Sequence, residues 1–242
     1  MKPAISINNL KFGFDDHRVF DRLSFDVPLH SRCLLLGANG VGKSTLLRIL
    51  AGKHLIPQDS VTIFGENPFS GSLSARDFTL VADRFPFDYD ITVAELLERS
   101  RPATRLQELI DLLGVDVRWR MHRVSNGQRR RVDLLLSFMT SPKLVLLDEV
   151  TSDLDILSRQ DLLRWLKAET DAGRMTVIFA THILDGMHSW ASHVAFLSPG
   201  RLRAMAEIDK LLLIDEARAK NPESPLLWLT EKWLREDVRG EK

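Results

Sequence analysis

One nine-residue stretch of the chain reads Gly37-Ala38-Asn39-Gly40-Val41-Gly42-Lys43-Ser44-Thr45. The apolar run Cys33–Leu36 precedes it and predicts a strand, and Ser44–Ala51 has the spacing of a helix that ends at Gly52. Glycines let successive backbone N–H groups turn inward toward phosphate oxygens, and the N-terminus of the following helix adds positive charge. The pattern G-x-x-x-x-G-K-[ST] in this strand–loop–helix setting predicts a phosphate-binding loop.

The side chains of this loop have separate expected roles toward a phosphate ligand and magnesium. Lys43 is expected to reach the β- and γ-phosphates, the Ser44 hydroxyl to ligate Mg²⁺, and Thr45 to donate to the α-phosphate. The loop backbone would supply the remaining contacts, at Gly37, Asn39, Gly40 and Gly42. A glycine-rich turn without a ligand is the alternative, which the predicted strand and helix on either side disfavour.

The composition narrows the class of protein. The 242 residues carry 33 Lys and Arg against 33 Asp and Glu, and this zero net charge argues against a protein that coats nucleic acid. The single cysteine, Cys33, excludes an internal disulfide, which fits a reducing compartment. No apolar run approaches the length of a membrane helix. We therefore expect a cytoplasmic protein without a membrane span of its own.

The periodicity along the chain predicts strands that alternate with helices. The first 30 residues alternate apolar and polar side chains, which predicts short half-buried strands with a turn near Asp15–His17. Further strands are expected at Phe78–Ala82, Leu144–Leu147, Thr176–Ala180 and Val194–Leu197, and helices at Thr104–Leu113, Asn126–Met139 and Leu157–Thr170. This alternation predicts an α/β fold with a largely parallel sheet. The stretch from about 85 to 140 is mostly helical and is expected to be an insertion between sheet strands.

Acidic and imidazole side chains follow two of the predicted strands directly. Asp148 and Glu149 come after Leu144–Leu147, and His182 comes shortly after Thr176–Ala180. Ligands bind at the carboxyl edge of a parallel sheet, so these side chains are expected to meet the phosphate loop. Asp148 would hold magnesium, and Glu149 would orient and polarise the attacking water. His182 could hydrogen-bond the γ-phosphate and that water, although a lone histidine is more often structural.

The segment Val124-Ser125-Asn126-Gly127-Gln128 resembles the signature motif of ABC-type ATPases, usually written Leu-Ser-Gly-Gly-Gln. The order and spacing of the phosphate loop, this signature, the acidic strand end and His182 are similar to those of that family. The resemblance covers about residues 4–210 and implies a P-loop ABC ATPase domain with an N-terminal antiparallel β portion and a helical insertion. Residues 1–210 would form the nucleotide-binding domain, with the helical subdomain at about 85–140, and residues 211–242 a C-terminal helical tail.

The resemblance also implies a homodimer that sandwiches ATP. Each nucleotide would lie between the phosphate loop of one subunit and the signature of the other, where Ser125, Gly127 and Gln128 would contact it. Asp155 matches the loop that communicates across such a dimer. Phe14 lies where the family places an aromatic side chain that stacks on adenine, and simple strand core is the alternative.

Two residues depart from the family pattern. Asn126 replaces a signature glycine, which leaves Ser125 and Gly127 in place. Asp83 stands where the family has a glutamine that touches magnesium or water and couples to a transmembrane partner. Asp83 could still interact with hydrated magnesium, but its presence puts ordinary coupling to a transporter in doubt.

Further segments are similar to a subgroup of soluble ABC ATPases known in fungi, where a member is associated with the CCR–NOT transcription-regulatory complex, and in plants. These segments are Gly37–Gly40, Ala51–Leu55, Asp116–Arg123, Leu147–Asp155 and Thr181–Gly186. The subgroup implies a regulatory, non-transport assembly as partner. The alternative is an ATP-binding subunit of an ABC transporter with separate membrane subunits, and a nucleic-acid-handling ATPase is a weaker third.

An arginine cluster surrounds the signature, at Arg118, Arg120, Arg123 and Arg129–Arg131. These side chains could complement ATP phosphates, pair with the acidic loop Asp148–Asp155 across the dimer interface, or bind nucleic acid. Zero net charge disfavours the last interpretation. Ordinary ion-paired surface is the further alternative for at least half of them.

Overall fold

A computed structural model describes residues 2–15, 17–57, 59–74, 76–82, 90–98 and 105–240. The strands are β1 (Ile5–Phe14), β2 (His17–Val27), β3 (Arg32–Gly37), β4 (Val61–Ile63), β5 (Phe78–Val81), β6 (Leu144–Asp148), β7 (Thr176–Ala180), β8 (His193–Ser198) and β9 (Arg201–Glu207). The helices are α1 (Lys43–Leu50), α2 (Val93–Glu98), α3 (Leu106–Leu113), α4 (Asn126–Phe138), α5 (Ile156–Asp171), α6 (Met187–Trp190), α7 (Ile214–Lys220) and α8 (Pro225–Arg239). None of the helices in these ranges is long and apolar enough to cross a bilayer.

The strands form two sheets. The central sheet has the order β5-β6-β7-β3-β8-β9, parallel except for β9, which pairs antiparallel with β8. The smaller sheet has the order β2-β1-β4 and is antiparallel. The predicted α/β fold with a mainly parallel sheet and an N-terminal antiparallel portion is therefore confirmed.

Alternate residues of the central strands enter two separate cores. On β3, Cys33 and Leu35 pack with α1 and the small sheet, whereas Leu34 and Leu36 pack with the helices of the opposite face. Strands covered on both faces are continuously apolar, which explains why each central strand is a short unbroken run of apolar residues. The carboxyl ends of β3, β6 and β7 consequently meet at one edge of the sheet.

The boundaries differ from the expectation mainly in the antiparallel parts. Instead of several short strands, β1 and β2 are long and pair antiparallel with Phe14 opposite His17. Asp16, in the predicted turn, lies outside the described residues. The strands β4 and β9 were not predicted, because their sequences are short or polar and lack a clear strand pattern. They are strands because they pair with a neighbouring strand at the edge of a sheet. Between residues 90 and 140 the described helices are α2, α3 and α4.

The C-terminal helix α8 packs on the central sheet. Trp233 lies 4.9 Å from Phe196 of β8, measured between ring centroids. Asp237 accepts a 2.7 Å hydrogen bond from the Ser198 hydroxyl and pairs with Arg203 at 3.2 Å. These contacts place the tail against β8 and β9, on the face opposite the phosphate loop helix.

Candidate active site

The phosphate loop is built by glycines that no other residue could replace without strain. Gly37 has φ +141° and a Cβ there would lie 2.3 Å from the Leu197 carbonyl oxygen. Gly42 has φ +108° and a Cβ there would lie 2.7 Å from the Val19 side chain. Both the backbone angle and the close approach exclude a side chain. The loop therefore curls tightly between β3 and α1, as the sequence predicts.

Lys43 lies across this loop. Its Nζ donates to the carbonyl oxygens of Gly37 at 2.9 Å and Ala38 at 3.0 Å. Burial lowers the pKa of Lys43 below its ordinary value, and the carboxylates of Glu149 and Asp148 act in the opposite direction. The ammonium is thus held over the cavity of the loop, where it can meet an anion.

Most of the site residues predicted from the sequence line a cleft of about 340 Å³. Its walls are formed by Phe14, His17, Val19, Asn39, Gly40, Gly42, Lys43, Ser44, Thr45, Asp148 and Glu149. The phosphate loop forms one end of the cleft, and Phe14, a residue that is 46% exposed, belongs to the β1–β2 hairpin. The exposed ring argues against the alternative that Phe14 is only strand core.

Sequence reasoning missed two residues of this cleft, His17 and Val19. Both lie at the start of β2, and His17 pairs with Phe14 across the hairpin. The predicted turn at Asp15–His17 could have indicated His17. Residues on either side of a hairpin turn lie opposite each other, so a residue after the turn lies close to Phe14 before it.

Glu149 and His182 form a pair beside the cleft. The Nδ1 atom of His182 lies 2.7 Å from Glu149 Oε2, and the His182 backbone N–H lies 3.3 Å from the same oxygen. The Glu149 N–H donates to the Ala180 carbonyl at 2.9 Å, which joins the ends of β6 and β7. The imidazole thus orients the carboxylate toward the cleft that also contains Lys43.

The oxygen atoms in the cleft fit a magnesium ion shared with a nucleotide. The Ser44 hydroxyl and the Asp148 carboxylate both line it, and Mg²⁺ is typically held by one or two such oxygens together with substrate phosphates. In the described ranges no three His, Cys, Asp or Glu side chains group to hold an ion. Asp83, also predicted near the metal, lies outside the described residues.

The signature lies outside the cleft of its own chain. Ser125 begins α4 with a capping box, in which its hydroxyl accepts from the Gln128 N–H at 3.2 Å and its own N–H donates to Gln128 Oε1 at 2.9 Å. The oxygen of the Gln128 side chain is therefore used to cap the helix. A Cβ at Gly127 would lie 2.6 Å from the Asp153 carbonyl oxygen, so this glycine packs directly on the segment Ser152–Asp155, which we call the Asp loop.

Asp155 caps helix α5. Its carboxylate accepts from the Ser158 N–H at 2.9 Å and from the Ser158 hydroxyl at 2.8 Å. These hydrogen bonds, aided by the Arg131 guanidinium, lower the pKa of Asp155 to about 2. Asp155 is therefore ionised at neutral pH and is half exposed on the surface next to the signature.

Several arginines of the cluster are paired within the chain. Arg131 pairs with Asp155, and buried Arg130 lies 3.9 Å from Asp153 and donates to the Ala82 carbonyl at 3.2 Å. Pairing with the acidic loop, one of the alternatives, is thus present within one chain and not only across an interface, because α4 and this loop are neighbours. Two exposed arginines also have local partners, Arg118 with Asp116 and Arg120 with Asp90.

Comparison with known proteins identifies the family. The family model described as ABC transporter matches residues 20–152. ABC transporter I family member 21 of Arabidopsis thaliana is 38% identical, covering 99% of this chain and 88% of the relative. CCR4-associated factor 16 of Saccharomyces cerevisiae is 38% identical, covering 82% of this chain and 77% of the relative.

Comparison of folds agrees with this assignment. A solved structure described as an ATP binding subunit of an ABC transporter superimposes with a TM-score of 0.79 at 22% identity, covering 96% of this chain and 99% of that one. The resemblance inferred from the phosphate loop and the signature is confirmed, and the chain belongs to the ABC transporter family, as an ABC-type ATPase domain.

Proposed function

We propose that this chain hydrolyses ATP with magnesium in a dimer of two copies, and that it drives a regulatory assembly. The proposal rests on one observation. Lys43, Ser44 and Asp148 lie at the same sheet edge as the Glu149–His182 pair. Groups that bind phosphate and a carboxylate that can act on water share one cleft.

The cleft has the layout that a nucleoside triphosphate needs. Adenine would stack on the exposed ring of Phe14, and the phosphates would occupy the loop, where the N–H groups and the Lys43 ammonium neutralise them. Magnesium, held by Ser44 and Asp148, would withdraw charge from the phosphate oxygens.

Glu149 would act on the attacking water. Its carboxylate accepts the water's hydrogen, and the bond from His182 fixes the direction in which the carboxylate points. A positioned base contributes about 10²–10⁴ in rate, or roughly 3–5 kcal/mol of the barrier. His182 would also be placed to contact the γ-phosphate.

A second copy would complete the site. The N-terminus of α4, capped by Ser125, is separate from the cleft, so in a sandwich a single chain would provide one half of the nucleotide's surroundings. Next to Asp155, Ile156 and Leu157 are 75% and 71% exposed. Two adjacent large apolar side chains on the surface favour burial against a partner. The signature and this apolar pair are the surface that would meet the partner's phosphate loop.

The regulatory role is supported by the relative in yeast. That relative is named as a CCR4-associated factor, and the similarity covers 82% of this chain and 77% of the relative. The alternative, an ATP-binding subunit for separate membrane chains, is favoured by the description of the matched family model as ABC transporter. Affinity purification of an ATP-trapped variant separates the two, since only the alternative brings down a multi-span membrane protein.

Glu149→Gln tests the proposed chemistry. The amide cannot take a proton from water, so ATP should still bind while hydrolysis falls by about 10²-fold or more. The trapped nucleotide should then hold two copies together, as seen by light scattering at saturating Mg-ATP. Glu98→Gln, at the end of α2, is the matched control and should hydrolyse normally. A Glu149→Gln protein that stays monomeric with ATP bound contradicts the sandwich.

A further inference from the structure

The ring of Phe14 is held by two other aromatic side chains. Its centroid lies 5.1 Å from that of Phe12, with the ring planes at 88°, and 5.4 Å from the imidazole of His54, at 81°. Phe12 and His54 also contact each other at 5.3 Å. We call these three residues the aromatic triangle.

His54 comes to the triangle from the phosphate-loop helix. Helix α1 begins with Lys43 at the phosphate loop, and its eight residues span about 12 Å. Gly52, in the left-handed conformation at φ +69°, and the bond from the Lys53 N–H to the Arg48 carbonyl fix the chain as it leaves the helix. One rigid element therefore has the phosphate contacts at its start and His54 just beyond its end.

The contact of His54 with Phe14 is made from outside the cleft. Phe14 lines the cleft, whereas neither Phe12 nor His54 does. A half-exposed aromatic side chain at the end of a strand has several rotamers available, and fixing one of them on binding costs affinity. Rings that already hold Phe14 remove that cost in advance.

We infer that His54 is a positioning residue for the base end of the nucleotide. It fixes the ring of Phe14 before ATP binds, and so sets the affinity for the base without touching it. The inference rests on the proposed function, because it takes Phe14 as the side chain on which adenine stacks.

His54→Ala tests this inference with two ligands. The affinity for ATP and for inorganic tripolyphosphate, which has phosphates but no base, is measured by titration calorimetry with Mg²⁺. We expect the ATP affinity to fall about three- to tenfold, from the loss of aromatic pairs. Tripolyphosphate affinity should not change, and KM for ATP should rise with kcat unchanged.

Two further variants serve as controls. His54→Phe keeps a flat ring and should retain most of the ATP affinity. Leu55→Ala, at a neighbouring side chain that is 86% exposed, should bind both ligands as the natural chain does. If His54→Ala does not fold, His54→Leu keeps the bulk without the ring and takes its place in the same measurement.

A double-mutant cycle shows whether His54 acts through Phe14. In a Phe14→Ala background, His54→Ala should have no further effect on ATP affinity. Additive losses, or an equal loss of tripolyphosphate affinity, would overturn the inference, as would an unchanged ATP affinity in His54→Ala. These outcomes leave the proposed function standing if the natural chain hydrolyses ATP and Glu149→Gln does not. Absence of hydrolysis by the natural chain would instead refute the proposed function.

Discussion

At the scale of single residues, Glu149 holds a backbone conformation that is rare for its type. Its φ is +53°, in the left-handed region that costs roughly 1–2 kcal/mol for a residue with a Cβ. The strain is compensated by the bond of its N–H to Ala180 and by the contact with His182. Strained residues cluster at functional sites, and here the turn directs the carboxylate back toward the phosphate loop.

Lys43 is the residue on which phosphate affinity should depend most. Lys43→Ala removes a charged donor that would contact two phosphates, each such bond contributing about 1.5–3 kcal/mol. We therefore expect the ATP affinity, measured by titration calorimetry, to fall at least about a hundredfold. Lys53→Ala, an exposed lysine after the same helix, is the control. A small loss in Lys43→Ala would mean that the loop backbone alone binds the phosphates.

At the scale of elements, an ion-pair network joins α3 to α5. The carboxylate of Glu169, whose side chain is 5% exposed, accepts from Arg105 at 2.8 Å and from Arg174 at 2.8 Å. The bond from Arg174, followed by that from Arg105, lowers the pKa of Glu169 to about 2 against burial. Because the pKa is lower in the folded state, the stabilisation exists above about pH 4.5 and is lost as the pH falls toward 2.

Glu169→Gln should reveal this network in unfolding experiments. At pH 7 the variant should lose on the order of 3 kcal/mol of unfolding free energy, the value that corresponds to the shift. At pH 3 the difference in unfolding free energy between the variant and the natural chain should be at most half of the difference at pH 7. At pH 3 the carboxylate is ionised mainly in the folded state and is mostly protonated in the unfolded state, so its ionisation contributes less to stability. Urea unfolding at both pH values measures this. An equal difference in unfolding free energy at both pH values would mean that packing, and not charge, accounts for the lost stability.

At the scale of the whole molecule, the surface around α4 is the part that the proposed dimer would use. The signature helix and the Asp loop are joined by Gly127 packed on Asp153 and by the pair of Arg131 with Asp155. They are therefore expected to approach a partner as one unit. The exposed apolar pair Ile156 and Leu157 extends that surface.

Ile156→Asp should weaken the ATP-trapped dimer without unfolding the chain. Placing a charge in a buried contact is costly unless it finds a partner, so the Glu149→Gln dimer should dissociate at least tenfold more readily. Analytical ultracentrifugation at saturating Mg-ATP measures the change. Leu212→Asp, at a side chain that is 78% exposed, is the matched control. A dimer insensitive to Ile156→Asp would place the interface elsewhere.

The sequence by itself determined the local structure. Apolar runs of strand length, the glycines of the loop and the capping residue Ser125 each act within a few residues, through backbone conformation and hydrogen bonding. For that reason the phosphate loop, the strand ends with Asp148 and Glu149, and the signature helix could be predicted. The family and the α/β fold followed from their order.

Only the tertiary structure decided which distant side chains meet. His17 and His54 are brought to Phe14 by a hairpin and by the exit of α1, and Arg131 is brought to Asp155 by the packing of α4 on the Asp loop. The strands β4 and β9 exist because a neighbouring strand offers hydrogen bonds to their backbone. Contacts of this kind depend on the relative placement of whole elements, which packing sets and which no local pattern encodes.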